Sequence, residues 1–384
     1  MNLLYLCSAL FAGEWLAALR PQAFESWPLF ALLAALVSLI GYGFAVPRWH
    51  WPATALAGAA LFYVAIAQQE REYRLSPWLR GRPCRAAAAG ATLRRVFSRR
   101  AAIGLAADSE SAAVNRAILL GERWRLAPET RRAFVESGSI HVFAISGLHV
   151  MVVARTLMLL LMLAFVPQRF AGAAALPPLW IYVYMIGAPP SAVRAAAMAS
   201  LYLLAPVFWR RPDALRAWSL TFLGVHLLDP RLAADVGCRL SFAVMLALIL
   251  AAQVADRLRH PWMRTLVFAF AAWAAGAPIA ASAFGRFTPG GVVTSVALIP
   301  AAALSVAVGV LGALLGFVSE TAAAHLNNLA ALVTQTMSGV AQAVSASGWA
   351  SFEVEPWGAA VCAAWYAALV TAFLFFRPRR DRCI

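Results

Sequence analysis

Two histidines and a serine stand at the head of an apolar run, in His141-Val-Phe-Ala-Ile-Ser-Gly-Leu-His-Val150, which continues through residues 151–166. Three chemistries are open to them. Polar side chains at membrane depth are costly, so they face a cavity or a partner and mark a transport path. Ser146 and His149 are three residues apart and share a face of a helix. A nucleophile and its base need that proximity, with Asp229 or Asp235 available to orient the imidazole. The third reading is plain hydrogen bonding from helix to helix. The nucleophile reading lacks a strand–turn–helix setting and an evident oxyanion hole.

Charged residues recur further along. Asp235 and Arg239 are four apart with the acid first, the favourable order on a helix; they flank Gly237 and precede Ser241. They read either as an internal ion pair or as a pair that attracts and positions an anion. Such a pair adds little stability by itself, because desolvation offsets its attraction. Arg194 follows Pro189-Pro190 by one turn, and snorkelling to the headgroups accounts for it. Arg155 lies two turns beyond His149, deeper in its run. Arg286 follows Gly285 between two apolar stretches and reads as a loop residue. Together Arg155, Arg194 and Arg239 could form a cationic path for a polyanion. No two histidines are separated by one residue, no phosphate-binding glycine loop is present, and Cys7, Cys84, Cys238, Cys362 and Cys383 are far apart. No metal site, disulfide framework or cofactor is expected.

The elements that must position these residues are membrane helices. The chain of 384 residues is 62% hydrophobic and 13% charged, against about 25% charged in soluble domains. Stretches long enough to span, about 20 apolar residues each, lie near 3–19, 29–46, 51–67, 140–166, 192–208, 215–228, 236–255, 263–284, 292–318, 326–346 and 357–376, with a short one at 179–186. The first reads as a retained span, since residues 1–19 have no basic start and Glu14 occupies the place of a cleavage site. Trp15, Trp27, Trp49, Trp51, Trp180, Trp209, Trp262 and Trp357 stand near span ends, as an aromatic belt does. Pro189-Pro190, Gly276-Ala-Pro278, Pro289-Gly-Gly291 and Pro300 predict kinks and broken helices, which suit a channel or transporter.

The expected fold class is therefore an all-α integral membrane protein, a polytopic bundle of about ten to twelve spans with broken or re-entrant helices and a small soluble insert. Residues 1–67 form amino-terminal transmembrane helices and 68–138 the insert. The insert is expected to carry short strands over 84–107 and helices over 109–136. Residues 139–376 form the main membrane domain, and 377–384 a basic tail on the cytoplasmic side. The net charge is +15, and every basic residue is arginine. Codon bias in a GC-rich genome is the simplest cause, though arginine's fork also suits phosphate. Arg94-Arg95, Arg99-Arg100 and Arg131-Arg132 make the insert able to hold a polyanion or anionic lipid.

The motifs resemble the ComEC family, the inner-membrane DNA-uptake channel of natural competence. Asn115-Arg-Ala-Ile-Leu-Leu-Gly-Glu122 is similar to one family element, and Glu136-Ser-Gly-Ser-Ile-His-Val-Phe-Ala-Ile-Ser-Gly-Leu-His-Val150 to the core signature. Pro190-Ser-Ala-Val-Arg-Ala-Ala-Ala-Met198, Asp235-Val-Gly-Cys-Arg-Leu-Ser-Phe242 and the stretch from Phe284-Gly-Arg-Phe-Thr288 to Pro300 follow in family order. The resemblance implies a non-enzymatic, multi-pass channel of the bacterial inner membrane that passes single-stranded DNA inward. His141, Ser146, His149, Arg155, Arg194, Asp235, Arg239 and Ser241 would line the channel or contact DNA. It also implies an extracytoplasmic insert, a separate nuclease, a DNA receptor and a cytoplasmic ATPase. The family's metallo-β-lactamase-like domain needs a His-x-His-x-Asp-His cluster, and none is found here, so no nuclease is expected on this polypeptide. The alternatives are a membrane Ser/His hydrolase, a transporter of another solute, or a remnant that no longer transports.

Overall fold

A computed structural model of the chain describes residues 85–106, 109–228, 232 and 235–376. The spans expected over 3–19, 29–46 and 51–67, the tail 377–384 and Asp229 lie outside the described residues. By internal contacts the chain forms two units, residues 1–83 with 213–239, and 84–212 with 240–384.

The described part of the first unit holds α7 (Ala214–Leu228) and the opening of α8 (Val236–Ala255). Asp213 Oδ1 accepts from the amides of Leu215 and Arg216 and starts α7. On that helix Trp218 stacks on Phe222, whose ring is tilted against that of His226.

The second unit begins with α1 (Arg85–Arg100), α2 (Glu110–Leu120) and α3 (Pro128–Glu136). Over 85–100 helix takes the place of the strands expected over 84–107. The stretch is rich in alanine and arginine, both strong helix formers, and its loose alternation was the weaker signal. α2 is buried almost throughout, from Ala112 to Leu120. It packs with α10 (Gly290–Leu315) and α11 (Glu320–Ser345), so this segment is part of the helical core of its unit. Then come α4 (Gly147–Leu163), α5 (Gln168–Met185), α6 (Pro190–Leu204), the remainder of α8 and α9 (Pro261–Phe284). α12 (Ala359–Phe376) closes the described chain, and a two-stranded antiparallel ribbon joins β1 (Arg286–Phe287) to β2 (Phe352–Glu353).

The fold is all-α in essence, and four described helices are long and apolar enough to cross a membrane: Pro190–Phe208, α8, α9 and α10. α4 and residues 359–373 are shorter apolar helices. The short stretch expected at 179–186 is the second half of α5, which runs straight through Pro177-Pro178. Neighbouring helices let a membrane helix tolerate such prolines, and α5 packs on α4 and α6. The stretch at 215–228 is a helix of 15 residues, and that at 326–346 belongs to the amphipathic, 26-residue α11.

Two buried amides tie the core together. The last carbonyls of a helix have no partner within it. At the end of α1, Asn327 Nδ2 donates to the carbonyls of Arg100 (2.8 Å) and Ile103 (3.0 Å), and Asn115 Nδ2 donates to that of Ala101 (3.3 Å). α10 admits Asn327 because residue 312 is glycine; a Cβ there would lie 2.6 Å from Asn327 Oδ1.

A second tie involves Pro278 inside α9. Proline has no N–H to donate and frees the carbonyl four residues back, which is that of Ala274. The Trp365 indole N–H of α12 donates to it at 2.9 Å, and the Tyr366 hydroxyl donates to Ala275 O at 2.8 Å. Trp365→Phe is expected to cost about 1–3 kcal/mol, seen as a lower thermal unfolding temperature in detergent. In a Pro278→Ala background the same change is expected to cost much less, because the restored N–H satisfies Ala274. Equal costs in both backgrounds would refute this account.

Candidate functional site

The apolar run that begins at Ile140 is not one helix. Residues 140–143 form a 3-10 turn, 144–146 are non-helical, and α4 starts at Gly147. Such a break exposes backbone groups, which must find partners when buried. Arg123 Nε donates to Phe143 O at 2.8 Å. Ser191 Oγ, at the start of α6, donates to Ile145 O at 2.6 Å. The Ser146 amide donates to His149 Nδ1 at 3.3 Å, and the Ser146 hydroxyl lies 3.2 Å from the same nitrogen. An amide can only donate, so Nδ1 is the acceptor and Nε2 carries the proton of the neutral ring. His149 is buried, and its Nε2 has no hydrogen-bond partner among the described residues.

Ser146 and His149 are thus brought together in a different way from the one their spacing predicts. Ser146 has extended backbone (φ −119, ψ 179) and caps α4; it is not on a helical face with His149. The imidazole folds back over the cap, a capping box with histidine in the place of the usual glutamate.

The break is also held from outside. Gly138 (φ +74) makes the turn before it, and a Cβ there would lie 3.1 Å from the backbone of Gly291. Thr294 Oγ1 of α10 donates to Ser137 O at 3.1 Å. Tyr182 of α5 donates to Leu119 O at 2.9 Å, tying α5 to the end of α2. Glu122, just beyond α2, is buried and accepts from Arg125 (2.8 Å) while facing Arg94 at 3.5 Å. Hydrogen bonds from Ser345 and Arg132 hold the Glu136 carboxyl below the ordinary carboxylate range. Arg123, Ser191, Glu122 and Tyr182 were not singled out from sequence. Ser191 and Glu122 lie inside the quoted motifs and Arg123 directly follows one, but only the fold shows which carbonyl or charge each one meets.

The other expected site residues are spread out. His141 is exposed, and its Nδ1 donates to Gly138 O at 3.2 Å. Arg155 is on the exposed side of α4. Arg194 is 3% exposed, with its guanidinium 5.9 Å from the Phe242 ring. That depth removes the snorkelling reading, since a snorkelling head reaches water. Asp235 caps α8 through a 2.6 Å bond from the Cys238 amide to its Oδ1. Arg239 follows one turn later in the same unit, while half-buried Ser241 belongs to the second unit. Arg286 is in β1 and pairs with Glu353 at 3.0 Å, so it is not a loop residue.

Comparison with known sequences identifies the family. The sequence model of the family described as Competence protein matches residues 118–379, about two thirds of the chain, from the end of α2 through α12. The chain belongs to the competence protein family. ComE operon protein 3 of Bacillus subtilis (strain 168) is 28% identical over 179 residues, 47% of this chain and 23% of that protein. Competence protein ComA of Neisseria gonorrhoeae is 29% identical over 157 residues, 37% of this chain and 21% of its own. An uncharacterized Aquifex aeolicus (strain VF5) protein is 28% identical over 195 residues, 50% of this chain and 45% of its own. The chain spans less than half the length of each of these relatives. No solved structure matches it. The broken element, its Arg123 and Ser191 anchors and the ribbon all fall within the competence-family region.

Proposed function

We propose that this competence-family protein is a channel of the bacterial inner membrane that carries single-stranded DNA inward during natural transformation. The observation that carries the reading is the broken element at 140–147, with the His149 imidazole buried at the head of an apolar helix. Irregular backbone at membrane depth is tolerated where it is buried in protein or lines a path. His149 Nε2–H is a donor that a passing phosphate or base edge can meet once the surrounding helices part. Buried Arg194 supplies positive charge from α6. The chain itself performs no covalent chemistry in this reading. A separate nuclease, a DNA receptor and a cytoplasmic ATPase would prepare, deliver and pull the strand.

The test is transformation frequency in a competent host lacking the gene, complemented with wild type or empty vector. Deletion is expected to abolish transformation and wild type to restore it. Normal transformation of the deletion strain would sink the assignment.

One observation favours a hydrolase: the Ser146 hydroxyl sits 3.2 Å from an imidazole nitrogen. Against it, the same nitrogen accepts the Ser146 amide, and no carboxylate meets Nε2 among the described residues. In a triad the far nitrogen is oriented by an acid. Covalent labelling of Ser146 by a serine-directed probe would revive that reading.

A further inference from the structure

The second unit has two distinguishable ends. Arg169 Nη2 donates to Val207 O at 2.9 Å, which joins the α4–α5 connection to the end of α6. At the opposite end, Gly290 N donates to Ala350 O at 3.1 Å and Arg286 pairs with Glu353, joining residues 285–290 to 346–358. The Thr294–Ser137 bond places the broken element at this second end too. α9 and α10 form a hairpin across the short ribbon connection, so the start of α9 lies with the end of α10, at the first end.

Charge and aromatic rings divide unequally between these ends. The connections and helix ends of the first end carry Arg99, Arg100, Arg169, Arg210, Arg211, Arg257, Arg259 and Arg264, against Asp213, Asp256 and Glu320. Those of the second end, counted with the segment around the broken element, carry Arg123, Arg125, Arg131, Arg132 and Arg286 against Glu122, Glu129, Glu136, Glu353 and Glu355, so the two signs balance there. Exposed rings stand among the arginines of the first end: Phe165 is 94% exposed, Trp209 83%, Phe208 68% and Trp262 63%. Phe165 sits at φ +63, uncommon for a bulky residue, with its ring outside. The Arg169 guanidinium lies 3.4 Å from the Trp209 ring centroid and 5.2 Å from that of Phe170. Stacking of this kind and the bond to Val207 O hold the guanidinium in place, and the exposed Arg210 and Arg211 beside it are the ones open to phosphate.

We infer that this first end is cytoplasmic, and that its arginine–aromatic collar binds the phosphates of anionic phospholipids in the inner leaflet. Arginine excess in short connections sets orientation toward the cytoplasm. Tryptophan at helix ends settles at headgroup level, and the anionic leaflet attracts basic residues beside it. A nucleic-acid surface fits less well, because these rings stand at the ends of apolar helices, at headgroup level. It follows that the broken element with His149 opens toward the extracytoplasmic side, where an incoming strand first arrives. The orientation rests on charge and packing alone, independently of the proposed cargo.

Two experiments on the full chain test this. In a variant whose five native cysteines are replaced by serine, Glu355→Cys and Arg211→Cys are probed with a membrane-impermeant maleimide. Glu355→Cys is expected to label in intact spheroplasts and Arg211→Cys only after lysis; the reverse pattern overturns the orientation. For the collar, protein purified from the membrane is assayed for retained phosphatidylglycerol by mass spectrometry. Arg210→Gln/Arg211→Gln, at two exposed positions, is expected to weaken retention about fivefold for each arginine removed. Unchanged retention overturns the lipid site. Unchanged retention with loss of binding to a single-stranded oligonucleotide overturns it in favour of nucleic acid.

Discussion

His149→Ala is expected to lower transformation by about a hundredfold, equivalent to about 3 kcal/mol on the limiting barrier, while the protein still accumulates in the membrane. The capping role of this residue alone predicts much less. Losing a helix cap costs about 1 kcal/mol, too little to remove a packed helix whose partners α5, α6 and α10 remain. A large functional loss at near-normal abundance therefore assigns His149 to the path of the cargo. Ser146→Ala keeps the amide that His149 accepts and removes only the hydroxyl, so it is expected to have a far smaller effect. If His149→Ala transforms within about twofold of wild type at equal abundance, the imidazole is a cap and nothing more. That outcome moves attention to Arg194, the other buried polar residue expected at the site from sequence.

Asn327→Leu is expected to be the most damaging single change to stability, at about 3 kcal/mol or more. It removes the donor to two carbonyls at the end of α1; that of Ile103 is left without a partner and that of Arg100 keeps only the Ile103 amide. It also sets a branched side chain against Gly312, where the asparagine oxygen already approaches closely. Unlike the change at His149, the loss is expected in abundance and in unfolding temperature in detergent, and transformation falls only in step with them. Gly312→Ala acts on the same contact from the α10 side and is expected to be partly relieved by Asn327→Ala, since shortening residue 327 opens the space a Cβ needs. An unfolding temperature unchanged by Asn327→Leu would show that the end of α1 does not depend on this contact.

The sequence by itself determined the solvent and the family. Composition alone requires a membrane protein, because so few charges cannot solvate so much apolar surface. The run His141–Val150, with its serine and glycine, announced a break near residue 146, because a polar triplet ahead of an apolar stretch is costly without a cavity or partner. The motif order pointed to the competence family, which the match over 118–379 shows.

Tertiary structure decided what sequence periodicity cannot encode. Ser146 and His149 have helical spacing, yet the helix starts between them, and the choice is made by Arg123 and Ser191, which satisfy the carbonyls that the break exposes. Arg94-Arg95 and Arg99-Arg100 look like the surface of a soluble insert. α1 instead packs against α5, with its end capped by Asn115 and Asn327, because long-range amide donors can satisfy a helix end inside a core. Arg194 reads as a snorkelling residue by its distance from Pro190, but burial depends on what lies across from it, and here that is the ring of Phe242. Local pattern reports which faces are apolar. Which buried polar group meets which partner is set by residues far away in the chain, and only the folded arrangement of helices brings them within bonding distance.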